Sequence, residues 1–503
     1  MRSGGRLGAS ALALVASAAL VAGCTASTAE PHAEGANPGA IGGRTAAPAP
    51  EPPPPTSLAV DNGRESPGLV AAGGADAVYN YGPALMVEGS RVRMWWCSQY
   101  GSAPPAGDDI LHAEAATPAG PFTGPGGAPP VAVLSGAPGE FDGVHTCDPS
   151  VLRVGGTYYL YYTGAAGDHA HGNAIGLATS TDGVHWDRAG AILHPAHDVA
   201  RDNVYGAGQP AAVHLDGWFY LMFTDTTGAA AGWNGAGQFV LRSPDPTFRT
   251  GVQALGADGF TPAPSTSAPR TSSLVDAFSA DLMWVDALDA FAIAHETDEG
   301  TTITFWDRDF ARNPYHPVLI PGPWQEGPGL LRQPDGHAPV SPADPCGRVP
   351  LDVVRATVLG AAGAPTDLRH FGIDLHGVDA CGEPERALAV LDGVAMPSPV
   401  RTMDLVTGGT VVRVERRSVA AELADVVLDR RLPVLDGIPV TARLAPAAPA
   451  VRADGVGTGL LLDDNRLWPV ASARAVELNG SPIAPVTRQQ WIGYPAGVVL
   501  DGR

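Results

Sequence analysis

From Ala77 onward the chain repeats itself at a period of about 50 residues, and that period constrains the fold more than any other feature. Each copy reads as a turn, a short apolar run, a polar turn, an aromatic-rich run and a further strand. The first is Tyr81-Gly82-Pro83-Ala84-Leu85-Met86-Val87, the turn Glu88-Gly89-Ser90, then Arg93-Met94-Trp95-Trp96-Cys97. The second runs from Cys147-Asp148-Pro149-Ser150-Val151-Leu152 through Gly155-Gly156 to Tyr158-Tyr159-Leu160-Tyr161-Tyr162-Thr163-Gly164. A third opens at Gly208-Gln209-Pro210 and passes through Asp216-Gly217 into Trp218-Phe219-Tyr220-Leu221. Weaker copies lie at 280–296 and from about Glu326 to His376. Such units cannot bury both faces alone, so radial stacking is the physical solution, with a central funnel where the first strands begin. The expectation is an all-β protein: a five-bladed β-propeller over 71–382 and a small C-terminal β-rich repeat module over 383–503. A β-sandwich is the alternative for strands so spaced.

The 63 Gly and 48 Pro favour turns over long helices. A formal charge of −21 argues against nucleic acid as a partner. At the N-terminus, Arg2 and Arg6 precede an uncharged Ala/Leu/Val-rich run that ends in Leu20-Val21-Ala22-Gly23-Cys24. This is signal-peptide architecture over 1–23, and its end resembles the lipobox of bacterial lipoproteins. That resemblance implies acyl chains on Cys24 and a membrane-anchored, extracytoplasmic chain in the cell envelope. Residues 24–70, including Pro52-Pro53-Pro54-Pro55, lack apolar periodicity and read as a disordered Pro/Ala-rich tether.

Four further cysteines fit an oxidising compartment. In the repeat, Cys97 and Cys147 fall at the same end of neighbouring copies, while Cys346 and Cys381 bracket the fifth. Pairing Cys97 with Cys147 and Cys346 with Cys381 is one of the three connectivities four cysteines allow. A metal site at His145, Cys147 and Asp148 lacks ligand spacing and a fourth partner, so no metal is expected. No nucleotide-binding loop, nucleophile elbow or zinc motif occurs, and no cofactor is expected.

The second copy, with Asp148-Pro149 opening a strand and Tyr158 to Gly164 after the turn, resembles the five-bladed glycosidases of glycoside hydrolase family 43. The resemblance spans roughly Ala77 to Cys381. It implies a carbohydrate-active protein acting on or recognising an oligo- or polysaccharide, with carboxylates at the first strands of the first three blades. Asp148 matches the family's second-blade acid, which positions the general acid and tunes its pKa. Before Pro83, where the family's base stands, this chain has Gly82. Where the family's general acid stands, it has Gly208 and Gln209. Two of three catalytic groups are therefore absent at the matching places, and a non-catalytic glycan-binding propeller is the alternative.

Other residues are candidates for the funnel. Asp142, Asp276, Asp281 and Glu296 could supply carboxylates, and His145 and Gln209 could bond sugar hydroxyls. Trp95, Trp96, Tyr100, Trp233, Trp284 and Trp324 offer stacking faces. Trp233 stands out because it rides on the Gly-rich loop Gly232-Trp233-Asn234-Gly235. Beyond Cys381 the text changes to short strands, and the module they form is a candidate for binding wall or surface glycan.

Overall fold

The structure, a computed structural model, describes residues 53–71, 79–99, 108–167, 171–360 and 363–501. Cys24, Tyr100 and the expected signal peptide lie outside the described residues. Those described are mostly strands, and they form several sheets.

Strand β1 is Ala59–Glu65. An antiparallel meander follows: β2 (Tyr81–Glu88), β3 (Arg91–Ser98), β4 (Asp109–Ala115) and β5 (Val131–Leu134). The next holds β6 (His145–Val154), β7 (Thr157–Ala165), β8 (Ala174–Ser180) and β9 (Asp187–Leu193). A third holds β10 (Ala207–Leu215), β11 (Trp218–Asp225), β12 (Gln238–Ser243), β13 (Gln253–Gly256) and β14 (Gly259–Pro262). A fourth holds β15 (Ala280–Val285), β16 (Ala290–Thr297), β17 (Gly300–Trp306) and β18 (Val318–Pro321). Then come β19 (Glu326–Arg332), β20 (Arg348–Leu359) and β21 (Pro365–His376), with β1 as the outer strand beyond β21. The first strands β2, β6, β10, β15 and β19 touch in that order. β19 then pairs in parallel with β2 through Leu331↔Leu85 and Arg332↔Met86.

The aromatic runs explain the stacking. Neighbouring residues of a strand point to opposite faces. Trp95 packs with Val151, Leu160 and Tyr162 of the second meander, while Trp96 packs with Leu331, Val354 and Leu368. Tyr162 and Tyr161 divide the same way, Tyr161 facing Phe219 and Leu221 of the third. A doubled aromatic thus marks a strand buried on both faces. The short turns follow their residues: Gly155-Gly156 and Asp216-Gly217 have positive φ at both positions, 59° and 82°, 52° and 79°, as a two-residue hairpin turn of the primed type requires.

Buried Arg332 ties the first strands together. Its Nη1 donates to Ala212 O at 3.0 Å and Leu282 O at 2.9 Å, and pairs with Asp281 Oδ1 at 3.3 Å. Its Nη2 reaches Ser150 Oγ at 3.4 Å. Three neighbouring strands are pinned by one side chain.

The expected tether runs into the fold. Ala59–Glu65 pairs with β21, so the ordered part begins well before residue 71. The strand is almost wholly exposed, and ion pairs hold it: Arg64 with Asp352 at 3.0 Å, and Asp61 with Arg348. An edge held by charge and backbone bonds has no apolar period to read. The cysteines pair as Cys97–Cys147 and Cys346–Cys381. No described helix is long and apolar enough to cross a membrane.

Residues 383–501 form sheets with helices on them. Strands β22 (Val394–Pro397), β23 (Met403–Thr407) and β24 (Thr410–Val414) lead into a helix at Arg417–Leu423 and β25 (Val426–Val427). After β26 (Val440–Leu444), strands β27 (Ala450–Ala453), β28 (Gly457–Leu461) and β29 (Leu467–Val470) lead into a helix at Ala473–Asn479 and β30 (Ile483–Pro485). In each copy the strand after the helix pairs in parallel with the first strand. The two copies share one apolar core.

Candidate functional site

Four of the five first strands open with the same backbone device. Gly82, Asp148, Gln209 and Gly327 have φ of 54°, 48°, 55° and 41°, and each precedes a proline. At each the ladder register shifts by a bulge. For Asp148 and Gln209 the left-handed conformation costs roughly 1–2 kcal/mol each, since it drives Cβ against the backbone. Strain repeated at one end of adjacent strands points to a site there.

A cavity of about 460 Å³ opens at that end. Tyr79, Tyr81, Asp108, His145, Asp148, Asn203, Tyr205, Gln209, Phe278 and Glu326 line it, with the turn 363–365. It therefore gathers Asp148, His145 and Gln209 from the expected set and adds two carboxylates, Asp108 and Glu326. Glu326 had a legible signal, because Glu326-Gly327-Pro328 repeats the form of Tyr81-Gly82-Pro83. Asp108 had none: it stands in a loop, and only the fold brings it beside His145 through the bridge Asp108↔His145.

The polar groups are arranged unequally. Asp108 accepts from the Tyr79 hydroxyl and from His145 Nδ1. Burial pulls the His145 pKa down, but the hydrogen bond and charge of Asp108 outweigh it, and the net shift is upward. Asp148 is raised, first by burial, with His145 and Thr163 opposing and the Asp108 charge assisting. Its Oδ1 is buried with no hydrogen-bond partner among the described residues. Glu326 is raised to about 7, by burial and then by the Asp148 charge. Gln209 Nε2 donates to Glu326 Oε1 at 3.3 Å, and Gln209 N to Thr163 Oγ1 at 2.8 Å. Tyr81 and Tyr205 are held far above the usual phenol range by burial and by the Asp148 charge. A carboxyl whose ionisation is opposed by burial and by a second carboxylate can hold a proton near neutral pH, so that the two can divide acid and base roles.

The two places where the family resemblance expects missing carboxylates are occupied by neighbours. A Cβ on Gly82 would stand 3.1 Å from Asp148 Oδ1. One on Gly208 would stand 2.3 Å from the Tyr205 hydroxyl. Larger side chains at these positions would displace the walls of the cavity.

The other expected residues lie elsewhere. Asp142 is buried between the Tyr162 hydroxyl at 2.8 Å and Arg188 Nε at 3.0 Å. Asp281 accepts from Leu330 N at 2.7 Å and Leu282 N at 2.8 Å beside Arg332, and lines a small axial cavity of about 30 Å³. Glu296 accepts two bonds from Thr301, at 3.1 and 3.0 Å, near Arg355. Asp276 lines a separate hollow beside Gly232. Trp95, Trp96 and Trp284 are core, and Trp324 donates to Thr297 O at 2.6 Å. Trp233 is exposed. The metal reading at His145, Cys147 and Asp148 falls with the disulfide, which takes up the Cys147 sulfur.

A larger depression, about 740 Å³, lies over Arg91, His112 and Glu114. Glu114 there is paired with Arg91 at 2.6 Å and with Arg93 at 3.5 Å. Burial and the Arg93 charge lower His112 to about 4. That surface offers no pair of interacting acids, which the smaller cavity does.

No family model matches the chain, and no curated protein sequence does. Solved structures similar to it include glycoside hydrolases. A family 117 glycoside hydrolase from the marine bacterium Zobellia galactanivorans is 13% identical, with a TM-score of 0.43, over 63% of this chain and 91% of that one. An α-L-arabinofuranosidase from Podospora anserina, solved with cellotriose, is 10% identical, with a TM-score of 0.42, over 64% and 99%. Likeness at this level assigns neither family nor activity.

Proposed function

We propose that this chain is a glycoside hydrolase-like, five-bladed β-propeller that takes an oligo- or polysaccharide into the cavity at Asp148 and cleaves a glycosidic bond there. The observation that carries the reading is the presence of Asp148 and Glu326 in one accessible cavity, both with pKa values raised first by burial, the Asp148 charge adding to the rise at Glu326. Glu326, protonated up to about pH 7, is the proton donor to the leaving oxygen. Asp148, which burial makes the more basic although the His145 charge favours its ionised form, takes the proton of the attacking water. Gln209 holds Glu326, and Asp108 holds His145.

The five-bladed reading is supported by the closed order of first-strand contacts and by an apolar cluster in each gap between consecutive meanders. Non-catalytic glycan binding is the second reading, favoured by Gly82 and Gln209 where the family resemblance expects carboxylates. The test is a screen of the chain from residue 25 onward against arabinan, xylan and bacterial wall glycans, recording reducing-end release and binding together. Release by the native protein that is lost in Glu326→Gln and Asp148→Asn supports the hydrolase. Binding without release leaves a glycan receptor.

We further propose that the chain is an extracytoplasmic lipoprotein anchored through Cys24, in keeping with its two disulfides. Cys24→Ala would then shift the protein from the membrane to the soluble fraction.

A further inference from the structure

Trp233 is 93% exposed, more than any other large hydrophobic residue among those described. The turn beneath it is nonetheless firmly built. Gly232 N donates to Ala236 O at 2.7 Å, and Ala236 N to Asn234 Oδ1 at 3.0 Å. Arg201 clamps the turn from below, its Nη1 bonding Gly232 O at 2.8 Å and its Nη2 bonding Ala231 O at 2.8 Å. The same segment reaches the cavity two residues on. Asn203 lines the cavity and donates Nδ2 to Asn234 O at 3.0 Å, and Tyr205 stands in the wall. Past the turn lies another hollow of about 230 Å³, lined in part by Gly232, Ser273 and Asp276.

The clamped turn holds the Trp233 indole in water, where it buries almost no area against the fold and leaves a flat aromatic face open. A sugar ring carries an apolar C–H face that fits an aromatic plane, and hydroxyls at its edge that suit Asn203, Ser273 and Asp276. We propose that Trp233 is a stacking platform on the rim for a glycan that extends out of the cavity, so that the ligand is a chain several units long. This rests on the carbohydrate reading of the cavity and adds chain-length specificity to it. Tyr205, Asn203 and Arg201 form the continuous path from wall to platform.

The test uses the chain from residue 25 onward as native protein, Trp233→Ala and Trp233→Phe, titrated calorimetrically with arabino-, xylo- and cello-oligosaccharides of increasing length. The expected result is native affinity that rises about tenfold once the ligand reaches the rim, the weight of about one ring stacked on an aromatic face. Trp233→Ala removes the rise and leaves the Kd of the shortest ligand unchanged, and Trp233→Phe restores most of it. Trp233 fluorescence, open to iodide quenching in the free protein, becomes protected only by the longer ligands. The same rise in Trp233→Ala, an equal loss at every length, or no rise in the native protein overturns the platform. In each of those cases, short-ligand binding by the native protein keeps the cavity reading standing, whereas no binding of any oligosaccharide overturns both.

Discussion

Glu326 and Glu296 both have pKa values raised to about 7, with burial as the first cause in each. Their surroundings differ. Glu326 lines an open cavity with Asp148, a second acid, and has one amide partner, Gln209. Glu296, with a side chain 5% exposed, is enclosed by Thr301 and Arg355, and Arg355 is in turn bonded to Ile320 O at 3.2 Å, Pro321 O at 2.9 Å and Pro323 O at 3.1 Å. The Arg355 guanidinium also lies 4.2 Å from the Phe371 ring centroid. A raised pKa therefore marks burial, and access together with an interacting acid marks a site. At Glu296 the same proton affinity belongs to a structural network joining β16, β17 and β20.

The sharpest way to break this contrast is to replace each glutamate by its amide. Glu326→Gln is expected to lower glycan release about 10²–10⁴-fold by removing the proton donor, while Glu296→Gln leaves release near native. Equal losses in the two variants would erase the distinction. Removing the partner cation should do the reverse: Arg355→Met is expected to destabilise by about 3–5 kcal/mol in denaturant unfolding, since Thr301, Glu296 and three carbonyls lose a buried donor. Its effect on short-glycan binding should be small.

The pH dependence sharpens the comparison further. Each folded carboxyl holds a proton to about pH 7, against the ordinary glutamate value of 4.5, so the folded state binds more protons between those limits. Stability is therefore fullest below about pH 4.5 and falls as pH rises to about 7, by up to about 3 kcal/mol for each group. Each amide variant should flatten its share of that slope in unfolding measured across the range. Only Glu326→Gln should also remove the fall in glycan release above about pH 7. The smallest expected effect is at the strained backbone. Gln209→Gly should gain about 0.5–1 kcal/mol of stability by relieving the left-handed conformation, while weakening glycan binding. A loss of stability there would show that the Gln209 side chain supports the wall and is not held under strain for the site.

Much of the scaffold was legible in the chain. The aromatic-rich runs at 93–97 and 158–164 read as strands, with Gly155-Gly156 and Asp216-Gly217 as turns between strands, because strand alternation and turn sterics are local properties, whereas Trp95 and Trp96, candidates for sugar stacking, proved to be core. His145 and Gln209 were singled out because they flank recognisable strands, and Asp148 through the family resemblance; the fold gathers all three in one cavity. Asp142, Asp281 and Glu296 looked equivalent in the text, yet each is taken up by an arginine far away in sequence, Arg188, Arg332 and Arg355. β1 escaped notice because ion pairs hold it and its own pattern does not.

What the sequence determined by itself was the strand-and-turn repeat, the placing of four cysteines at the ends of its copies, and the positions near which each first strand begins. The tertiary structure decided which acids meet. Asp108 arrives from a loop after β3, Asp148 from β6 and Glu326 from β19, and the raised proton affinities of Asp148 and Glu326 exist only once burial and neighbouring carboxylate charge act across that gap. Local sequence sets backbone geometry through sterics that reach a few residues, whereas desolvation and charge act through space and follow the closed fold.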